Sequence, residues 1–249
     1  MKNPFSRITL GIAMLTAAML SCTSVHADVL KAGTAKVNIT PPDSRYPVHD
    51  SLYARSLVLE AGEVRIAFIS LDLGVYFSES VRRKLMQQYG LNELYLSSSH
   101  THSGQNPDEA FMLQRLGDVL DRAMRGRFQC RVSAGHRKFF PIAFNRLVLR
   151  DNGRAMESWE GDDHFLPVNR ECLVHGMIDP SVGVLKFEDT EGQPRAVIMN
   201  FAAHPDVVWN NFELSADYVG CATRYTEEAF SGMVNCLFIQ GGAGNQAPL

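Results

Sequence analysis

The sequence predicts an α/β fold in which a mixed β-sheet core carries flanking helices and a metal site sits on loops at strand ends. Three observations predict it. Short apolar runs rich in Val, Ile, Leu and Phe recur along residues 32–240 at strand length. Between several of them lie segments with helical apolar spacing. Three of the apolar runs end abruptly in loops rich in His, Gly, Asn or Pro, the place where open α/β sheets put their ligands.

In chain order, strands are predicted near Ala32–Ile39, Leu52–Glu60 and Val64–Leu71, a helix over Ser78–Tyr89, and a strand over Glu93–Ser98. A helix follows from Pro107 to Met124, with Phe111, Leu113, Leu116, Val119, Leu120 and Met124 at helical spacing and therefore facing the core. Further strands fall near Cys130–Ala134, Val182–Phe187, Arg195–Phe201 and Cys236–Gln240, with a last helix over Tyr218–Phe230. Between Arg150 and Asp179 the chain is polar and irregular, which predicts an excursion over the surface alongside the cleft. No repeat or low-complexity linker divides residues 28–249, so they read as one domain.

The most informative stretch is Ser97 to Gly104, Ser-Ser-Ser-His-Thr-His-Ser-Gly, which follows the apolar Leu94-Tyr95-Leu96. In extended backbone positions i and i+2 project to the same side, so His100 and His102 are expected to face one cleft. Neutral imidazole is a common zinc ligand. A second strand, Ala196 to Ala203, runs into His204, and Pro205 after it biases the histidine toward extended geometry. A third junction leads from Cys236–Gln240 into Gly241-Gly242-Ala243-Gly244-Asn245-Gln246-Ala247-Pro248, whose glycines let backbone N–H groups approach an anion or oxyanion. No Gly-Lys-Ser/Thr follows, which argues against a phosphate-binding P-loop.

Taken in order, Lys31-Ala32-Gly33 to Ile39-Thr40-Pro41-Pro42, Ser99-His100-Thr101-His102-Ser103-Gly104, Phe144-Asn145-Arg146, Phe201-Ala202-Ala203-His204-Pro205 and the terminal Gly-Asn-Gln-Ala-Pro resemble the N-terminal domain of the neutral/alkaline ceramidases and their bacterial relatives. The resemblance covers nearly all of residues 28–249. It implies a zinc-dependent amidase in which His100 and His204 bind the metal. It also implies that His102 and Arg146 serve the substrate, His102 relaying a proton or polarising an oxyanion and Arg146 offering a fork to a carboxylate. Gly244 and Asn245 fall at the substrate or oxyanion side of the terminal loop. The implied substrate is a small-molecule or lipid N-acyl compound, with peripheral membrane contact.

The sequence departs from that pattern at two places. Where ceramidases carry a serine implicated in the active site, Ala247 stands here, so no hydroxyl is available and activated water is the expected nucleophile. The further metal ligands of the family, a glutamate and a tyrosine, lie downstream of the segment that ends at Leu249, so the catalytic domain reads as incomplete. Low solubility or oligomerisation is the expectation for such a chain. A catalytic zinc usually has three protein ligands and a water. Asp72, at the end of the buried run Arg65–Leu71, is the candidate within the chain, either as ligand or as a group orienting one. Asp217 reads as a cap for the helix that follows it. His136, His164 and His175 read as solvated or structural, and His26 and His49 have no supporting context.

Lys2 and Arg7, then the apolar Ile8–Leu20 and the small-residue exit Val25-His26-Ala27, read as a secretory signal cleaved before Asp28. The apolar run is short for a membrane span. Export to the periplasm or beyond is expected, with lipid anchoring at Cys22 as the alternative. Removal of Cys22 would leave Cys130, Cys172, Cys221 and Cys236, open to disulfide pairing or buried as free thiols. A net charge of −3 gives no reason to expect nucleic acid as a partner. Two other classes of function compete with the hydrolase: a non-catalytic envelope protein that keeps the scaffold, and a disulfide-stabilised binding domain whose histidines are structural.

Overall fold

The computed structural model describes residues 28–140, 142–149, 153–157, 176–209 and 211–249. The proposed signal segment with Cys22 and His26, most of the 150–179 excursion, His164, Cys172 and His175 lie outside the described residues.

Strands β1 (Lys31–Asn38), β2 (Tyr53–Ala61) and β3 (Val64–Leu71) form an antiparallel meander, Lys31 opposite Glu60 and Ala61 opposite Val64. The β2–β3 turn has only Gly62 and Glu63 at its tip, and Gly62 takes φ 57°, as so tight a hairpin requires. From β3 the chain crosses through helix α1 (Glu79–Tyr89) to β4 (Glu93–Ser98), which pairs parallel to β3. Ser78 caps α1 by accepting from the Val81 N–H, and Gly90 closes it in the left-handed conformation. Helix α2 (Glu109–Arg125) then packs across β1 and β2 and leads to β5 (Phe128–Lys138).

After the short strands β6 (Ala143–Asn145), β7 (Leu147–Leu149) and β8 (Ala155–Glu157), strands β9 (Ser181–Asp189) and β10 (Pro194–Phe201) form a second antiparallel hairpin. Helix α3 (Asp217–Ala229) crosses to β11 (Asn235–Gln240), parallel to β10. The last strand, β12 (Gln246–Pro248), pairs with β6. The main sheet has eight strands in the order β11-β10-β9-β5-β1-β2-β3-β4, so a parallel β-α-β unit stands at each edge of an otherwise antiparallel sheet.

The sheet curls. Strand β11, at one edge, packs across β2, β3 and β4 at the other. The interior of the curl is filled by Ala32, Leu57, Phe187, Ile198 and Leu237, with Phe68 and Ile239 against them. On the outer face Val58, Ile69, Leu71 and Leu94 meet Leu85 of α1 and Met112, Leu116 and Leu120 of α2. Leu57 and Val58 are adjacent yet fully buried in different cores, because neighbouring residues of a strand face opposite ways. That is why Leu57-Val58-Leu59 of β2 reads as a continuous apolar stretch rather than an alternating one. Each such leucine contributes about 1.5–3 kcal/mol by burial.

Every strand of the sheet matches an expected one, with β5 as the main difference in length. It continues beyond Ala134 through His136, paired with Gly183, to Lys138, paired with Ser181. Most of β5 is solvent-exposed, so its far half carries no apolar period to read. Cys130, Cys221 and Cys236 are free thiols, Cys130 and Cys236 buried. Among the described residues no helix is long and apolar enough to cross a membrane.

Candidate metal centre

The curl brings the carboxyl ends of the two parallel units together. His100 follows β4 and His204 follows β10, on opposite margins of the sheet, yet their ring centroids lie 4.9 Å apart. His102 completes the group at 5.3 Å from each. One ring nitrogen from each of the three can be chosen so that all lie within 4.8 Å of one another.

The loop that carries the first two histidines is pinned on both sides. His100 N–H donates to Leu73 O at 3.0 Å, at the exit of β3, and His102 N–H donates to Pro205 O at 3.0 Å, directly after His204. Between them Thr101 is buried and its hydroxyl donates to Ser215 O at 2.9 Å. The sequence expectation that His100 and His102 converge through strand alternation is corrected here. His100 takes φ 71°, a left-handed backbone uncommon outside glycine. The two imidazoles converge because the chain kinks at His100 and tucks Thr101 into the core.

His204 is the buried member of the group. Its N–H donates to Gln246 O at 2.9 Å, and its Nδ1 lies 2.7 Å from Ala243 O. A carbonyl only accepts, so Nδ1 carries the proton and the Nε2 lone pair is left for an electrophile, the arrangement that fixes a ligating histidine. Close approach of the two loops requires Gly241, where a Cβ would come within 2.9 Å of Ala202 Cβ and 3.1 Å of Phe201 O. Burial pushes His204 below the usual imidazole range, and the nearby Arg146 adds to this, against the opposing pull of the Ala243 hydrogen bond. Burial likewise lowers His102, helped by the facing His100. Both shifts favour the neutral, ligating form.

Arg146 is aimed by pairing of β6 with β12: its N–H donates to Asn245 O at 2.8 Å and its Nε to Gly244 O at 3.2 Å. Nη2 lies 3.4 Å from His204 Nε2, and Glu157 and Asp206 lie at 3.4 and 3.8 Å from the guanidinium. Arg146 therefore stands beside His204. Gly244 and Asn245 offer Arg146 carbonyl oxygens rather than N–H groups, which makes them positioning residues for the guanidinium. Ala247 is buried in β12 opposite Phe144.

Asp72 is not part of the group. Its Oδ2 accepts from Arg55 Nη1 at 2.7 Å and from the Tyr53 N–H at 2.9 Å, both on β2, and the ion pair is buried. The reading of Asp72 as a metal ligand or catalytic group is therefore corrected, and the third side chain of the cluster is the imidazole of His102. Asp217 is buried, accepts from the Val208 N–H at 2.8 Å and takes φ 58° at the start of α3. It ties the segment that follows His204 to the helix. Sequence reasoning missed Asp206 and Trp209. Asp206 could have been found from its adjacency to His204-Pro205, and Trp209 from being one of two tryptophans in the chain.

Two spaces open from the histidines. A cleft of about 440 Å³ is lined by His100, His204 and Gly244 together with apolar Val75, Phe77 and Leu96. On the His102 side lies a smaller pocket of about 160 Å³. The group thus stands at a junction: a ligating cluster with an arginine on one side and an apolar cleft on another.

The chain is 26% identical over 237 residues to the neutral ceramidase of Pseudomonas aeruginosa. It is similar to neutral ceramidase. That alignment takes in 81% of this chain and 32% of the ceramidase, so the chain spans about a third of the length of that curated relative. The crystal structure of neutral ceramidase from Pseudomonas aeruginosa has the same fold, with a TM-score of 0.70 at 21% identity over 89% of this chain and 40% of that one. A structure described as ceramidase complexed with C2 matches with the same TM-score at 22% identity, over 89% of this chain and 39% of that one. No protein-family model matches the chain. The ceramidase likeness carries the mixed-sheet fold expected from the sequence.

Proposed function

We propose that this chain carries the metal-binding part of an exported, zinc-dependent hydrolase that cleaves an amide (N-acyl) bond with activated water. The observation that carries the reading is the convergence of His100, His102 and His204 at the joined ends of two parallel units, in a chain similar to a neutral ceramidase. The residues fit a zinc ion. They are imidazoles, His102 and His204 held toward the neutral form by burial, and the His204 tautomer is fixed by Ala243 O. His100 and His204 would hold the metal. Bound there, zinc would supply Lewis acidity and bring the pKa of water to about 7.

The chain's own residues supply the rest. His102, the most exposed of the three, lines the smaller pocket and takes or returns a proton at a ring nitrogen. Arg146 presents its fork beside His204, where it orients a carbonyl oxygen before cleavage and a carboxylate after it. Val75, Phe77 and Leu96 give the cleft an apolar wall suited to an acyl chain. Gly244 and Asn245 hold Arg146 on target through their carbonyls. The apolar substrate and the exposed Val75 and Phe77 at the mouth suit contact with a lipid surface. Export rests on the basic, apolar and small-residue pattern of residues 1–27.

Elemental mass spectrometry of the purified chain tests the reading, with His100→Ala/His204→Ala as the comparison. Near-stoichiometric zinc is expected, lost in the double variant and kept in His102→Ala, while His102→Ala loses hydrolysis of a fluorogenic N-acyl substrate. Zinc that survives the double variant would refute the site.

A further inference from the structure

The smaller pocket, across His102 from the acyl cleft, is built differently. Its walls include Tyr46, Trp209 and Phe212, its charged group is Glu213, and no Lys or Arg lines it among the described residues. The Tyr46 and Phe212 rings lie 6.5 Å apart, inclined at 40°, and Trp209 stands edge-on to His102 at 6.1 Å. Trp209 and Phe212 are 53% and 74% exposed. Phe212 takes φ 52°, a backbone that a bulky residue rarely adopts and that persists where a local constraint maintains it. The Glu213 carboxylate lies 3.3 Å from His49, and Asp206 and Asp217 act electrostatically on His102. Aromatic faces around a carboxylate, with no Lys or Arg among the described lining residues, are the composition that receives an organic ammonium: the ring quadrupoles and the carboxylate attract the same charge.

We propose that this pocket binds an organic ammonium group, namely the amine half of the substrate. The assignment of that ligand to a reaction product rests on the hydrolase reading above. Hydrolysis of an N-acyl amine joins the oxygen of water to the acyl carbon and breaks the C–N bond, both protons of the water ending on nitrogen. The products are a carboxylate and an ammonium. Arg146 lies beside His204 and this pocket lies across His102, so the two products are sorted by charge to different sides of the cluster. A neutral amide nitrogen gains little from the aromatic walls, whereas the charge that develops as nitrogen leaves gains fully, the differential a catalytic site uses.

The test is a titration by NMR of the full chain with n-butylammonium, using n-butanol and butyrate as probes of similar size. The expected result is saturable binding of n-butylammonium, at least about tenfold tighter than either control and weakened about tenfold in both Trp209→Leu and Glu213→Gln, the range of a partly desolvated cation–π contact. The same binding is expected in the His100→Ala/His204→Ala chain, so loss of zinc or of turnover does not bear on it. Equal binding of n-butanol, preference for butyrate, or n-butylammonium binding unchanged in both pocket variants would overturn the proposal. A matching thermal midpoint in the two variants shows that they remain folded, and Phe212→Leu gives a third variant whose weakened binding is expected on the same ground.

Discussion

Replacing Asp72 by Ala separates the two roles that a strand-end carboxylate can have in this fold. Asp72 gives Oδ2 to Arg55 Nη1 at 2.7 Å and to the Tyr53 N–H at 2.9 Å, and both charged side chains are nearly inaccessible, at 4% and 3%. Burial opposes the charge on Arg55, but Asp72 and Glu227 outweigh it and lift its pKa. A guanidinium is effectively always protonated, so the arginine stays charged when Asp72 is removed. Loss of one partner from a buried pair costs about 3–5 kcal/mol because the other charge is stranded. Two remaining groups moderate this: Thr223 Oγ1 accepts from Nη2 at 3.1 Å, and Glu227 Oε1 lies 3.7 Å from Nε. The lower end, about 3 kcal/mol, is the expected loss. In a domain of this size that corresponds to about 6–12 °C in Tm at roughly 2–4 °C per kcal/mol. Urea and thermal denaturation followed by circular dichroism measure it, with metal content determined on the same samples. Asp72→Asn, which keeps an acceptor for Tyr53 and Arg55, should lose less than half as much. An Asp72→Ala chain that keeps its stability and loses its metal would refute the reasoning and return Asp72 to the site.

Two other perturbations probe the scaffold. In Gly33→Ala the new Cβ would fall 2.1 Å from Ala123 O, forcing α2 away from β1; a loss of about 2–3 kcal/mol is expected, the upper range for overpacking, and a change under about 0.5 kcal/mol in urea denaturation would show that the helix yields freely. Glu60 accepts from Arg65 at 2.6 and 2.8 Å and from Arg127 at 3.0 Å, and the Arg65 hydrogen bonds hold its carboxyl below the ordinary value of 4.5. A depressed folded-state pKa contributes stability that is complete above the unfolded value and lost as pH falls through the folded one. The advantage of the unmodified chain over Glu60→Gln should thus be constant well above the ordinary carboxylate value of 4.5 and decline as pH falls below it through the lowered folded-state pKa, whereas an advantage that does not change on acidification through that range would remove Glu60 from the acid response.

The strands that carry the core were legible because burial on one or both faces leaves a run or a period, as in Ala54–Val58 or Ala196–Ile198. The far half of β5 has no buried face, and β6 and β12 are three residues each, too short for any period. In the site, His100, His102 and His204 were legible from one local signal, a histidine where an apolar run stops. The same signal put Asp72 on the list, and it failed there for a reason remote in sequence. Arg55 on the neighbouring strand, opposite Ser70 in register, claims the carboxylate, and its charge makes that claim compelling inside a core. Trp209 and Asp206 follow no strand pattern. Only the fold of the 205–209 segment back onto Asp217 brings the tryptophan against His102.

Convergence of the histidines is not a property of either strand end alone. Pairing of β3 with β4 and of β10 with β11 fixes where each loop leaves the sheet, and the curl fixes the distance between the loops. The last adjustment is made by backbone that side chains ordinarily avoid. Among the described residues four that are not glycine have positive φ, and His100, Phe212 and Asp217 are three of them. One carries a candidate ligand, one a wall of the ammonium pocket, and one the hydrogen bond that holds the segment between them. Each conformation costs about 1–3 kcal/mol, to be offset by the packing of Thr101, Ala203, Ser215 and Val219 beneath. Strain gathered on a residue of each space and on the one that holds the segment between them is what a scaffold shaped around a reacting group would retain.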